Sequence, residues 1–267
     1  SGDIFLKLLK LRTDHTSVAL GITAPGSNVA AHAQESNAAF HGVFTADTPA
    51  EMEAVYDNWA SSYDETVEQV LAGDGENHPT TELVRVLAKA VPDGCRIEHI
   101  LDVGAGTGAA GPLLLEAYGP LKALVAFDLS KGMLAMAKAR GCYTEAVQGC
   151  CPDMTEAALY DYDLAFCAGT FTPNHAPSST PKALIPLVRR GGLIAFSIRS
   201  YFYADESSGF RAAQAALEEE GAWRKVKEEE GIYLPKGGSL CVILCLRTPL
   251  IFDCHFIATA PYRAEHV

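Results

Sequence analysis

The feature that most constrains the fold is a regular alternation of short apolar segments with helix-forming segments through the middle of the chain. The apolar segments have the length of strands, and they are Ile97–Val103, Leu121–Phe127, Tyr143–Gln148, Tyr162–Ala168 and Gly192–Ile198. Strands that read as continuous apolar runs are buried on both faces. The alternation therefore predicts a parallel sheet with helices on both sides.

Two further strand-like runs follow a helix predicted over Ser207–Glu220. The runs are Trp223–Tyr233 and Leu240–Arg247, and Gly237 and Gly238 lie between them. Two runs joined by a short glycine-containing turn predict an antiparallel hairpin. The expected fold is α/β, with a seven-stranded sheet that is mostly parallel and ends in this hairpin.

The chain before the sheet divides into an extension and a helical region. Residues 1–47 are rich in small and polar residues without a clear period, which predicts a partly flexible extension. Thr48-Pro49-Ala50-Glu51 has the pattern of a capping box with proline at the first helical position, so two or three helices are expected over about 49–72 and 80–91. We predict one domain over 48–267 that begins with helices in 48–92.

Charge and cysteine content limit the classes of function. The formal net charge is −12, and an acidic surface repels phosphate backbones, so no nucleic-acid partner is expected. No run of about 18 apolar residues occurs, so no membrane partner is expected. The eight cysteines lack the paired C-x-x-C spacing of a zinc site. They predict free thiols, no metal and a cytoplasmic location; the oligomeric state stays open.

The sharpest chemical signal is Leu101–Gly108, Leu-Asp-Val-Gly-Ala-Gly-Thr-Gly, between a predicted strand and a helix. Glycines let the backbone approach a ligand, and the helix start offers free N–H groups. Gly106–Gly111 also fits G-x-G-x-x-G, with Asp128 at the spacing of a ribose-binding acid, so a nicotinamide cofactor is an alternative. Asp102 argues against it, because its carboxylate repels a pyrophosphate and attracts a cationic sulfonium ligand.

The segments Leu101–Gly108, Phe127–Ser130 and Arg189–Leu193 resemble the motifs of class I S-adenosylmethionine-dependent methyltransferases, and the resemblance covers roughly residues 50–247. It implies a doubly wound, Rossmann-like fold, S-adenosyl-L-methionine as cofactor, and helices before the sheet that form a lid. It also implies a set of cofactor-binding residues, which are Tyr63, Asp102, Gly104, Ala105, Gly106, Asp128, Leu129, Cys150, Cys151 and Cys167. Asp128 would bind the ribose hydroxyls, and Leu129 would lie against the adenine.

A narrower resemblance concerns the first helix. Val55–Asp64, together with Phe196–Arg199 and Tyr233–Pro235, resembles the methyltransferase-like protein encoded in the Williams–Beuren region. This likeness refines the family and does not indicate the acceptor.

The expected reaction is in-line methyl transfer to a small molecule through a nitrogen, an oxygen or a carboxylate. The residues expected to hold the acceptor are Tyr56, Trp59, Phe171, Asn174, Tyr201 and Tyr203. The aromatic residues of the first helix have helical spacing, so a purely structural role is the alternative. His175 is the candidate general base, with a surface loop residue as its alternative. A nicotinamide-dependent oxidoreductase and a non-catalytic cofactor-binding protein remain open as other functions.

Overall fold

The computed structural model describes residues 42–43, 45–68, 79–92, 94–234 and 239–249. Helices and strands alternate along the described chain. In order they are α1 Pro49–Trp59, α2 Tyr63–Thr66, α3 Pro79–Ala90, β1 His99–Val103, α4 Ala110–Tyr118, β2 Ala123–Asp128, α5 Lys131–Ala139, β3 Glu145–Gln148, β4 Tyr162–Phe171, α6 Thr180–Leu184, β5 Val188–Arg199, α7 Ser200–Ala204, α8 Phe210–Glu219, β6 Arg224–Leu234 and β7 Ser239–Arg247.

The seven strands form one sheet in the order β3-β2-β1-β4-β5-β7-β6. Strands β1 to β5 pair in parallel, and β7 runs antiparallel to both β5 and β6. The predicted fold class is confirmed, including the antiparallel pair at the end of the sheet. Because strand order reverses between β1 and β4, the carboxyl ends of these strands flank the crevice where open α/β sheets bind ligands.

The sheet is buried on both faces, as the apolar strands predicted. On one face, Leu83 and Leu87 of α3 pack with Leu114 of α4 and with Ile100 of β1. The other face carries a second cluster, formed by alternate residues of the same strands and by helices α6 and α8. Successive residues of each strand point alternately into the two clusters. Close packing on both faces fixes the strands, and their carboxyl ends therefore form a rigid edge.

The first helix begins where the sequence predicts. The Thr48 hydroxyl accepts from the Glu51 amide at 3.3 Å, and the Glu51 carboxylate accepts from the Thr48 amide at 3.1 Å, so the capping box is confirmed. The expected two or three helices are present as α1, α2 and α3, with a turn between the end of α1 at Trp59 and the start of α2 at Tyr63. Residues 69–72 lie outside the described residues.

Several boundaries differ from the prediction. Strand β4 continues to Phe171, because its pairing with β5 resumes after a register shift that begins at Cys167. Helix α8 starts only at Phe210, since Gly209 adopts a positive φ of 72°. The Gly237–Gly238 turn and most of the 1–47 extension lie outside the described residues. Within the described part of the chain, no helix is both long and apolar enough to cross a membrane.

Candidate active site

A cavity of about 580 Å³ opens at the carboxyl edge of the sheet. Its floor is the glycine-rich loop after β1, its sides are the ends of β2 and β4, and α1 and α2 form one wall. A neighbouring hollow of about 420 Å³ shares Tyr63, Gly104 and Gly106 with it and extends to Asp102 and Ala105. The two spaces together form one continuous candidate site at the predicted edge of the sheet.

The glycine loop needs glycine at the positions that the motif supplies. Gly104 and Gly106 have positive φ values of 67° and 55°. A Cβ at Gly104 would lie 2.2 Å from the Thr170 hydroxyl oxygen, whereas a Cβ at Gly106 would meet nothing within 4 Å. Gly104 is thus required for close packing, and Gly106 leaves an open approach to the backbone for a ligand.

Asp128 ends β2 and fastens this loop. Its carboxylate accepts hydrogen bonds from the Gly106 amide at 2.8 Å and from the Ser130 amide at 2.9 Å. Burial raises the pKa of Asp128, and the two amides oppose that rise. Each carboxylate oxygen has a second lone pair, so these bonds leave Asp128 able to accept from ribose hydroxyls as well.

Asp102 is a second buried acid at the same edge. Its side chain is 2% exposed, and the Tyr143 hydroxyl donates to it at 2.6 Å. Burial raises the pKa of Asp102 to about 7, and the nearby charge of Asp128 acts in the same direction. Two poorly solvated carboxyl groups side by side favour a cationic ligand over an anionic one.

The predicted adenine segment lies along the cavity wall. Leu129, Cys150 and Cys151 all line the main cavity. Burial raises the pKa of Cys151 to about 12, so its thiol is a neutral, apolar part of the wall at pH 7.

Cys167 does not line the cavity, and its prediction as a cofactor contact is corrected. Its side chain is fully buried in the cluster on one face of the sheet, where burial raises its pKa well above the usual value. The residues of β4 that face the cavity are the next three, Ala168, Gly169 and Thr170.

The aromatic residues of α1 and α2 combine a packing role with a place in the cavity wall. Trp59 is buried, donates its indole N–H to the Thr66 hydroxyl at 3.2 Å, and holds Tyr63 at 4.8 Å between ring centroids. Tyr56 stacks on Trp59 at 6.1 Å. All three residues line the cavity, so Trp59 acts as the lid's core and carries Tyr56 and Tyr63 on the cavity side.

Polar contacts fasten α1 and α2 to the sheet domain. The Asp57 carboxylate accepts from the Ser130 hydroxyl at 2.5 Å and from the Gly132 amide at 2.8 Å. The Asp64 carboxylate accepts from the Thr107 hydroxyl and from the Arg140 guanidinium, both at 2.5 Å. These residues were not predicted, because no local pattern links partners so far apart in the chain.

His175 lies in the cavity wall. Its Nδ1 is 2.8 Å from the Pro173 carbonyl oxygen and 2.9 Å from the Thr172 hydroxyl, and its Nε2 is 2.7 Å from the Tyr56 hydroxyl. Burial lowers the pKa of His175, and the positive charge of Arg199 lowers it further. The imidazole is therefore neutral at pH 7 and able to accept a proton.

Of the remaining acceptor candidates, two line the cavity and two do not. Asn174, which has a positive φ of 65°, and the exposed Tyr201 both line the cavity. Arg199, the last residue of β5, also lines it.

The predictions that Phe171 and Tyr203 hold the acceptor are wrong, because neither side chain lines the cavity. Phe171 is fully buried, 5.1 Å from the ring of Phe196 and 5.0 Å from that of Phe210, since β4 continues through it and turns its side chain into the core. Tyr203 is buried on the side of α7 that faces α8, where its hydroxyl donates to Gln214.

Comparison with known protein families gives a match over the middle of the chain. A family described as "Methyltransferase domain" matches residues 100–192, which include the glycine loop, Asp128 and the start of β5. No curated protein matches the chain significantly.

Among solved structures, an S-adenosylmethionine-dependent methyltransferase from Clostridium acetobutylicum ATCC 824 matches with a TM-score of 0.53, 12% identity, and coverage of 71% of this chain and 98% of that one. A provisionally assigned class I methyltransferase from Listeria monocytogenes matches with a TM-score of 0.51, 12% identity, and coverage of 77% of this chain and 71% of that one. At such identities the likeness shows the fold alone.

The match over residues 100–192 and the Rossmann-like fold together indicate a methyltransferase, and enzymes with this fold use S-adenosylmethionine as the methyl donor.

Proposed function

We propose that this enzyme transfers the methyl group of S-adenosylmethionine to a small molecule bound between the lid and the carboxyl edge of the sheet. The observation that carries the proposal is the main cavity, whose one wall is the aromatic side of α1 and α2 and whose floor is the glycine loop. When bound, the cofactor supplies an electrophilic methyl group on a sulfonium.

The chain's residues fit this cofactor. The open backbone at Gly106 would accommodate a ligand close to the loop, and Asp128, which accepts from the Gly106 amide, would also accept hydrogen bonds from the ribose hydroxyls. The carboxyl group of Asp102 lies where a cationic amino-acid end would be stabilised. The thiols of Cys150 and Cys151, with Leu129, provide an apolar wall for the adenine.

The cavity also suits a small acceptor. Its volume lies within the range of about 300–1,000 Å³ that is common for small-molecule sites, and residues of α1 and α2 line one side of it. Tyr56 and Tyr201 offer aromatic surface, while Asn174, His175 and Arg199 provide polar groups. With a net charge of −12, the surface does not favour a nucleic-acid acceptor.

Three finer statements rest on the sequence. The narrower likeness to the methyltransferase-like protein of the Williams–Beuren region is part of the proposal, as is a cytoplasmic location. The division into an extension over 1–47 and a domain over 48–267 is also proposed on the sequence pattern.

Calorimetry tests the cofactor against the main alternative. We expect S-adenosylhomocysteine to bind much more tightly than NAD⁺, because the acids at the sheet edge disfavour a pyrophosphate. Tighter binding of NAD⁺ would overturn the proposal and support an oxidoreductase. Transfer of labelled methyl groups to a panel of amines, phenols and carboxylic acids then separates an enzyme from a protein that only binds the cofactor.

A further inference from the structure

The Tyr56 hydroxyl and the His175 imidazole form a hydrogen-bonded pair in the cavity wall. They come from α1 and from the loop after β4, 119 residues apart, and the Tyr56 oxygen lies 2.7 Å from Nε2. The two rings meet edge to face, with centroids 5.8 Å apart. The pair thus joins the lid to the loop at the carboxyl edge.

The contacts of the other ring nitrogen fix the direction of this hydrogen bond. The Pro173 carbonyl can only accept, so its 2.8 Å contact with Nδ1 requires a proton on Nδ1. A neutral imidazole carries one ring proton, so Nε2 is unprotonated. The Tyr56 hydroxyl therefore donates to Nε2, and its oxygen acts as an acceptor toward any further group.

We propose that Tyr56 takes the proton lost by the methyl acceptor and passes its own proton to His175. This inference rests on the proposed function and adds the substrate class: the acceptor is a nucleophile that starts protonated, a phenol, an alcohol or an amine. A carboxylate acceptor would need no such relay. His175 acts through Tyr56, because both of its ring nitrogens are already engaged.

The transfer balances in protons and electrons. An electron pair of the acceptor's oxygen or nitrogen forms the bond to the methyl carbon, and the pair of the broken S–C bond remains on sulfur. The acceptor's proton passes to the Tyr56 oxygen while the Tyr56 proton passes to His175 Nε2. The resulting imidazolium later releases its proton to solvent.

Other charged groups share the cavity with this pair. The further titratable or charged residues that line it are Asp47, Tyr63, Asp128, Cys150, Cys151, Arg199 and Tyr201. The charge of Arg199 disfavours a persistent imidazolium, so His175 is returned to its neutral form after each turnover.

Two substitutions and a matched control test the relay. Tyr56→Phe keeps the ring that stacks on Trp59 and removes only the hydroxyl, and His175→Gln keeps a polar group that cannot be protonated. Each is expected to lower kcat on phenol, alcohol or amine acceptors by about 10²-fold with unchanged affinity for S-adenosylhomocysteine. The control Tyr160→Phe alters an exposed tyrosine away from the cavity and should leave kcat unchanged.

The pH profile and rescue distinguish proton transfer from packing. In the parent enzyme kcat should rise with pH through the pKa of His175, which lies below 6.5, and then level off. His175→Gln should lose this step, and imidazole added to His175→Ala should restore part of the rate. A fall in kcat without these changes in pH profile and rescue would overturn the relay and leave the pair a structural role.

A measurement independent of turnover is the ¹⁵N NMR spectrum of His175 in the complex with S-adenosylhomocysteine. We expect Nδ1 protonated and Nε2 unprotonated; the opposite tautomer would overturn the relay.

Failure of the proposed methyl transfer and failure of the Tyr56–His175 relay give different results. Absence of S-adenosylhomocysteine binding overturns the proposed function, whereas normal binding with methylation of carboxylates alone, or with no effect of Tyr56→Phe, overturns only the relay.

Discussion

The carboxylate of Asp128 has two tasks that a single substitution can separate. It accepts from the Gly106 and Ser130 amides, so removing it also leaves two amides without their partner. Asp128→Asn keeps one acceptor oxygen and removes the charge, which makes it a cleaner variant than Asp128→Ala. The sequence motif predicts that this acid binds the cofactor, and the structure shows that it fastens the loop.

We expect Asp128→Ala and Asp128→Asn to weaken S-adenosylhomocysteine binding at least about tenfold, since a charge-assisted hydrogen bond contributes roughly 1.5–3 kcal/mol. Asp128→Ala should also lower the melting temperature more than Asp128→Asn. Calorimetry and thermal unfolding measure the two effects, with the exposed Asp161→Asn as control. Unchanged affinity in both variants would remove Asp128 from the cofactor site.

Asp102 predicts a pH dependence of cofactor binding. Its pKa of about 7 means that the carboxyl is largely protonated below that pH, and a cationic ligand favours the ionised form. S-adenosylmethionine affinity should therefore fall as pH decreases from 8 to 6, by up to about tenfold per unit below the pKa. Binding should release a proton, detectable by calorimetry in two buffers. Asp102→Asn should lose this dependence, and a flat profile in the parent would contradict the role.

The same carboxyl predicts a pH dependence of stability. Its folded-state pKa is raised from 3.8 to about 7, so the folded state binds the proton more tightly than the unfolded state. Asp102 therefore destabilises the fold increasingly as pH rises through this window, and each unit of difference corresponds to about 1.4 kcal/mol. Asp102→Asn should raise the melting temperature clearly at pH 8 and little at pH 4, and equal shifts at both would contradict this account.

At the scale of elements, the carboxylate of Asp57 is one of several polar contacts that hold α1 on the sheet domain. Asp57 accepts from the Ser130 hydroxyl and the Gly132 amide at the start of α5. Ser130 also caps α5 by accepting from the Met133 amide at 3.0 Å, so the lid and the cofactor-binding turn share one polar cluster. Loosening this contact should open the lid without unfolding the sheet.

We expect Asp57→Ala to weaken cofactor binding by several-fold and to make α1 more susceptible to limited proteolysis, because a lost charged hydrogen bond costs about 1.5–3 kcal/mol. The neighbouring exposed Asn58→Ala is the matched control.

On a larger scale, deletion of 1–40 should leave binding largely intact, whereas deletion of 1–65 should abolish it. Equal binding by both truncations would show that α1 is not a lid.

The elements also show what sequence reasoning can and cannot reach. The glycine loop, the Thr48 capping box and the alternating strands are local signals, and each lies where it was predicted. The Asp57–Ser130 contact joins residues 73 positions apart, and such pairs leave no local pattern. Phe171 was assigned to the acceptor site because β4 was expected to end at Ala168. The strand instead continues for three more residues, and the side chain of Phe171 therefore points into the core.

At the scale of the whole molecule, the net charge and the cavity beside α1 both favour the proposed small-molecule acceptor over a nucleic acid. The net charge of −12 opposes binding to phosphate backbones, while the cavity is bounded by aromatic, polar and small residues. The sequence predicted the cofactor side of the cavity through motifs. On the acceptor side, Tyr56, Asn174 and Tyr201 line the cavity as expected. Phe171 and Tyr203 do not, because the continuation of β4 and the packing of α7 on α8 bury them.

The most direct test of this account is the fate of the methyl group itself. Purified enzyme is incubated with S-adenosylmethionine labelled in the methyl group and a cell extract, which is then separated into nucleic-acid, protein and small-molecule fractions. The account predicts enzyme-dependent label in the small-molecule fraction, reduced by the Asp128→Asn variant. Label confined to RNA or protein, or no transfer by an enzyme that binds the cofactor, would contradict it.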